Sequence, residues 1–330
     1  MDKQKRIMFA GSPEISLPVL EELAAIRGYE LAAVLTNPDK ARGRGKTTSP
    51  SPVAEAAQAI AQKFAEAGKT PPVIFKQDLF DAEFYKQAAG LSLDILVSFA
   101  YGTIFEKEFL RLFPLGGINI HPSLLPKYRG PSPIQSAIKN ADSSMGISIQ
   151  KLAEELDSGD IILQKAIPLT GTETNESLGA IAAEESALMI RKLFTAYNDF
   201  MENASPQDQS KATFCTAITK ADGKINWSQS DTQIDAQIRA YTPWPLSYTF
   251  AEDKLLYILQ GHPLDKSEAK EFDETAKAGT VLGSNKKNGI LIKTGCGIYA
   301  AEKLQFASRK ALDFISFLNG ARNFIGLVLR

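Results

Sequence analysis

Four short apolar runs in the first 121 residues, Arg6–Ala10, Leu31–Thr36, Ile95–Ser98 and Gly117–His121, alternate with stretches of helical spacing. This alternation limits the fold more than any other feature. Between the runs, Pro18–Ile26 and Val53–Ala67 place apolar residues three to four apart, as crossover helices do. Strand, helix, strand in repeat implies an α/β, Rossmann-like, doubly wound and mostly parallel sheet. In such sheets ligands sit beyond the carboxyl ends of the strands, so the residues just after Ala10, Thr36, Phe99 and Ile120 are the ones to inspect.

Residues 176–202 keep a helical pattern for several turns and give way to the polar stretch NASPQDQSKAT. We read residues 204–212 as a linker between a catalytic domain at 1–203 and a second domain at 213–330. Beyond it, LSYTF, LLYILQ, GILIK and GIYAAEKLQF are short, β-rich and separated by turn residues, among them Asn288-Gly289. A small C-terminal β-barrel, OB-like, is expected there. No window approaches the roughly 18 apolar residues of a membrane helix, and the charged start MDKQKR carries no export signal, so a cytoplasmic protein is expected, and a monomer is assumed. The net charge of −1 does not announce a nucleic-acid binder, although the C-terminal stretch is slightly more basic than the rest. Cys215 and Cys296, far apart, suit core or near-core positions rather than a disulfide or a zinc site.

The segment richest in chemistry is GGINIHPSLLPKYRGPSPIQ, residues 116–135. Side chains two apart on a strand share a face, so Asn119 and His121 project together while Ile118 and Ile120 pack the other way. Pro122 then ends ladder pairing. The other histidine, His262 in QGHPL, reads as a turn or surface residue. In LAEELDSGDIILQ, residues 152–164, either Asp157 or Asp160 could reach a neighbouring histidine, and spacing alone leaves both open. A third segment, TNPDKARGRGKTTSPSPV at 36–53, forms a basic loop at the binding edge through Lys40, Arg42, Gly43, Arg44, Gly45 and Lys46, suited to an anionic partner. Gly45-Lys46-Thr47 imitates a nucleotide phosphate loop, but the required earlier glycine is Lys40, and no GxGxxG follows the first strand. NTPase and dehydrogenase readings are therefore set aside.

INIHPSLLPKYRG followed by LDSGDIILQ resembles the folate-dependent formyltransferases, and FAGSPE, NPDKARGRGK, SFAYG, GKINW and IRAYTPWPLS echo, in order, the branch that acts on methionyl-tRNA. The resemblance covers nearly the whole chain. It implies Asn119, His121 and Asp157 as the catalytic set, settling Asp157 over Asp160. It further implies folate contact by Ser123, Leu124, Leu125 and Pro126, 10-formyltetrahydrofolate as co-substrate, no metal, and tRNA contact by the loop at 38–50. The C-terminal FLNGARNFIGLVLR departs from the pattern in being more apolar.

Formyl transfer between amines needs an oxyanion stabilised and a proton delivered to the departing nitrogen. The Asn119 amide would donate to the oxyanion; a protonated His121 would stabilise the same charge or supply the proton; Asp157 would orient the imidazole and favour its charged form. A nucleotide-sugar N-formyltransferase would look alike around these residues, and the basic loop weighs against it. A binding module without turnover would have no need of all three side chains.

Overall fold

Seven strands make up the first sheet of the computed structural model, which describes residues 4–41, 48–269 and 275–330. They are β1 (Lys5–Gly11), β2 (Tyr29–Thr36), β3 (Val73–Lys76), β4 (Ile95–Phe99), β5 (Gly117–His121), β6 (Ser144–Lys151) and β7 (Ile161–Pro168), in the spatial order β3-β2-β1-β4-β5-β6-β7. Pairing is parallel from β3 to β5 and antiparallel between β5 and β6. Every residue of β4 is buried, as befits a strand covered on both faces. The sheet is thus the doubly wound, mostly parallel one that the alternation predicts. β3, β6 and β7 lie beyond the four runs: Val73–Lys76 is too short to announce itself, and β6 carries buried Ser148 and Gln150 within its apolar run.

The crossover helices α1 (Leu17–Ala25) and α2 (Pro52–Glu66) fall within a residue of their expected bounds. Ser51 caps α2 by accepting from Ala54 N at 3.0 Å, and Pro52 occupies its first turn, where no N–H is needed. The helix expected over 176–202 is two: α4 (Asn175–Leu193), which follows α3 (Ala82–Gly90), and a short helix at Tyr197–Glu202. Ala196, at φ −152°, leaves the helical region, and buried Tyr197 turns to donate its hydroxyl to Leu115 O at 3.2 Å.

By its contacts the chain divides into two units: Met1–Pro133 with Met145–Ile167 and Gly179–Cys215, and Ile134–Ser144 with Pro168–Leu178 and Thr216–Arg330. In the second, β8 (Ser247–Ala251), β9 (Lys254–Pro263), β10 (Val281–Asn285), β11 (Gly289–Lys293) and β12 (Ile298–Phe306) form an antiparallel sheet in the order β8-β9-β12-β11-β10, with β13 (Leu312–Asp313) beside β12. These six strands fit the small barrel expected. Helix α5 (Asp231–Tyr241), opened by a capping box of Ser230 and Gln233, contributes Ile234 and Ile238 to the core. The apolar C-terminus has its reason here. Phe317 of α6 (Phe314–Gly320), Phe324 and Leu329 fill that same core.

One expectation changes: Cys296 is exposed rather than near the core. Of the turn or surface position expected for His262, the surface one holds, on β9 with a side chain 40% exposed and Nδ1 2.8 Å from Glu302 Oε1. Among the described residues no helix is long and apolar enough to cross a membrane.

An aromatic cluster fills one face of the first sheet, where Phe109, fully buried, sits 4.8 Å from Phe80, 5.2 Å from Phe113, 5.5 Å from Phe105 and 5.6 Å from Phe84, centroid to centroid. Phe109→Ala is expected to lower unfolding stability by about 3–5 kcal/mol. Urea unfolding checks this, and a loss below about 1 kcal/mol would show that the cluster collapses freely into the gap.

Candidate active site

At the carboxyl end of β5, register decides which side chains meet. Asn119 lies opposite Gln150 and His121 opposite Ser148, so antiparallel β6 brings two polar residues to the face that Asn119 and His121 share. The turn between β6 and β7 supplies Asp157, which adopts a left-handed φ of 53°, a conformation that aspartate tolerates better than most residues. Its carboxylate is enclosed by donors: Gly130 N reaches Oδ2 at 2.8 Å, while Gln150 Nε2 and Asn119 Nδ2 reach Oδ1 at 2.9 and 3.3 Å. An ionised carboxylate, which only accepts, is matched by this set.

His121 is 5% exposed. Its Nε2 lies 2.8 Å from Tyr128 O, which can only accept, so Nε2 carries a hydrogen and donates it. Its Nδ1 faces Asp157 Oδ2 at 3.5 Å. Both ring nitrogens therefore face oxygens, an arrangement that a doubly protonated ring satisfies. Asp160, the competing acid, turns away to Lys151 Nζ at 3.4 Å and keeps a partly exposed side chain.

Two close approaches hold the frame. Gly130 (φ +117°) brings its N–H to Asp157, and a Cβ there would lie 2.2 Å from Cys215 O; at Gly159 a Cβ would lie 1.8 Å from Lys151 O. Behind the turn stands Gln207, from the polar stretch read as a linker. Its buried Nε2 donates to Gly159 O at 2.7 Å and to Asp157 O at 2.9 Å, while its Oε1 accepts from Arg129 Nε and Nη2 at 3.1 and 2.7 Å. Ser205 in the same stretch pairs with Ile161.

The segment expected to contact folate is mostly turned inward. Ser123 is buried and donates its hydroxyl to Lys127 O at 2.6 Å; its carbonyl accepts from Ser148 Oγ at 2.7 Å. Leu125, also buried, donates its N–H to Ser148 Oγ and accepts from Gln164 Nε2. Leu124, which closes over Gly146, and Pro126 keep partly accessible side chains. Of the basic loop, Lys40 is exposed and pairs with Ser49 across the loop's base; Arg42, Gly43, Arg44, Gly45 and Lys46 lie outside the described residues. Ser12, Asn37, Lys40, Ser49 and Ser51 line a cavity of about 270 Å³ at the carboxyl ends of β1 and β2, on the edge that the topology designates. Nearby, burial raises the Tyr101 phenol well above its ordinary range, keeping it a neutral donor, here to Gln77 O.

Arg129 and Gly130 belong to the Pro-, Ser-, Arg- and Gly-bearing run after His121 that packing alone does not explain, but sequence alone assigns them no role. Sequence reading missed Gln150 and Gln207, of which only Gln150 leaves a signal, as a polar residue two after Ser148 in an apolar strand.

Two family models match the chain: Formyl transferase over residues 5–193, and Formyl transferase, C-terminal domain, over 217–322. Methionyl-tRNA formyltransferase of Treponema denticola is 41% identical over 97% of this chain and 98% of its own length; that of Borreliella burgdorferi is 37% identical over 98% of each. Among solved structures, a sugar 3N-formyl transferase determined with dTDP and 5-N-formyl-THF superposes with a TM-score of 0.60 at 18% identity, covering 93% of this chain and all of that one. HypX of Aquifex aeolicus in complex with tetrahydrofolic acid gives 0.58 at 14% identity over 98% of this chain and 48% of that one. At these identities the two structures share the fold.

Gln207→Ala leaves buried acceptors at Asp157 and Gly159 and the Arg129 guanidinium short of partners. Each buried group so stranded costs about 1–3 kcal/mol, so the unfolding midpoint in urea should fall measurably. An unchanged midpoint would mean that water replaces the amide.

Proposed function

We propose, for a chain that belongs to the formyl transferase family and within it to the methionyl-tRNA formyltransferases, that it moves the formyl group of 10-formyltetrahydrofolate onto the α-amino group of initiator methionyl-tRNA. The observation that carries the mechanism is the convergence of Asn119, His121 and Asp157 on one strand end, with the carboxylate fully engaged by N–H groups.

The acceptor amine must attack as the neutral form, and the ester beside it in an aminoacyl-tRNA lowers its basicity. As its nitrogen bonds to the formyl carbon, the carbonyl oxygen becomes an oxyanion. Asn119 Nδ2 has two hydrogens, one directed at Asp157, and the second is available to that oxyanion. His121, flanked by the Asp157 carboxylate and the Tyr128 carbonyl, serves as a fixed positive charge beside it. Collapse breaks the bond between the formyl carbon and the folate nitrogen, and one proton passes overall from the attacking to the departing nitrogen. For His121 to carry that proton, Nε2 has to release Tyr128 O; with the contact kept, its part is electrostatic.

Asp157 acts as a positioning residue, holding Asn119 and the imidazole ring. Leu124 and Pro126 are the side chains of the folate segment with surface to offer the co-substrate. Residues 1–203 carry the reacting side chains in this reading, 204–212 connect and through Gln207 brace the Asp157 turn, and 213–330 together with Lys40, Arg42, Arg44 and Lys46 meet tRNA phosphates, contacts that position an RNA without reading its sequence.

Transfer of labelled formyl from 10-formyltetrahydrofolate to methionyl-tRNA tests the reading. Asn119→Ala should lower kcat by about 10²–10³ while the fold persists. Arg44→Ala should raise KM for the tRNA and flatten its salt dependence. Labelling of an amino-sugar nucleotide, with methionyl-tRNA left unlabelled, would remove the tRNA assignment and keep the formyl chemistry.

A further inference from the structure

The chain has two tryptophans, and the second unit treats them oppositely. Trp227 is buried and donates Nε1 to Thr249 Oγ1 at 3.0 Å. Trp244 is 51% exposed, and its indole has no hydrogen-bond partner among the described residues. It sits on the turn Tyr241–Leu246, closed by Leu246 N donating to Tyr241 O at 2.9 Å.

Lysines stand on the segments packed against that turn. Lys139 Nζ donates to the Tyr241 hydroxyl at 3.1 Å and lies 5.4 Å from the centre of its ring. On the other side, Gly223 comes so close to the turn that a Cβ there would be 2.2 Å from Leu246 O; its neighbours Lys220 and Lys224 are both exposed. Asp222, the acid of this segment, accepts from the Thr219 amide and hydroxyl, each at 2.7 Å, and its charge also faces Lys139. An exposed indole on a turn flanked by lysine-bearing segments has the chemistry that single-stranded nucleic acid meets on its binding proteins: an aromatic face for a base and cations for the phosphates on either side.

We propose that Trp244, with Lys139, Lys220 and Lys224 beside it, is a stacking platform for an unpaired nucleobase of the RNA substrate. The proposal rests on the tRNA reading above and adds where an unpaired base is held. Charge complementarity favours RNA over a protein partner.

The test is binding by the full chain, measured with unacylated tRNA, a single-stranded RNA octamer, and the same octamer annealed to its complement. Trp244→Ala should weaken the tRNA and the single strand by about 5- to 150-fold, the range one base–aromatic stack supplies, and leave the duplex unchanged. Trp244→Phe should recover most of the affinity, and Lys139→Ala should lower the slope of log Kd against log salt. Quenching of tryptophan emission by the octamer should vanish in Trp244→Phe, because Trp227 is buried. Equal urea midpoints establish that the variants are folded. Wild-type RNA affinity in Trp244→Ala overturns the platform, as does a change confined to self-association in sedimentation. If wild type fails to formylate methionyl-tRNA, the underlying reading falls instead, and the octamer still reports on the platform.

Discussion

One carboxylate organises the polar cluster at the end of β5. Asp157 draws N–H groups from β5 through Asn119, from β6 through Gln150, and from the loop after β5 through Gly130, so three separate segments converge on a single carboxylate. Such charge-assisted bonds are stronger and more directional than neutral ones, and in a nearly water-free setting each depends on the others being in place. The left-handed backbone at Asp157 and the glycines at 130 and 159 are geometrical conditions for that convergence. The same carboxylate faces the imidazole. The charge that fixes the architecture thereby also matches a cationic ring.

The imidazole is enclosed by what surrounds it. His121 is almost inaccessible, and its two nitrogens face a carboxylate and a carbonyl, so the ring has little freedom to turn. Preorganisation of this kind separates a catalytic environment from a set of suitable side chains. Neutral amides carry out much of it. Gln207 and Gln150 relay position from buried Arg129 to the turn without adding net charge beside the site.

The legible parts of this molecule were those governed by short-range periodicity. Strand alternation placed Asn119 and His121 on one face, and helical spacing set α1 and α2 to within a residue, because each depends on neighbours in the chain. The turn of β6 into β7 was not legible in the same way. Asp157 and Asp160 differ by three positions in a flexible-looking sequence, and what sends one inward and the other to Lys151 is the register with β5 and the donors of a distant loop. Gln207 was invisible for a related reason. Polar composition looks the same whether a segment is solvated or is satisfying buried carbonyls. The apolar C-terminus, unexpected beside the family pattern, is explained by burial of Phe317, Phe324 and Leu329 around the second core.

The placement of Gln207 bears on where this protein can be divided. A cut drawn from composition after residue 203 would leave the carbonyls of Asp157 and Gly159 facing solvent and would strip Arg129 of its Gln207 and Gln209 acceptors. It would also remove Thr213 and Cys215, whose backbones pair with Arg129 and whose side chains meet Tyr128 N and Ser132 N. A fragment that keeps these bonds has to run through Cys215, where the first unit itself ends. The stretch after residue 203 is therefore an internal brace of that unit, and a protease nicking it would loosen the turn that carries Asp157.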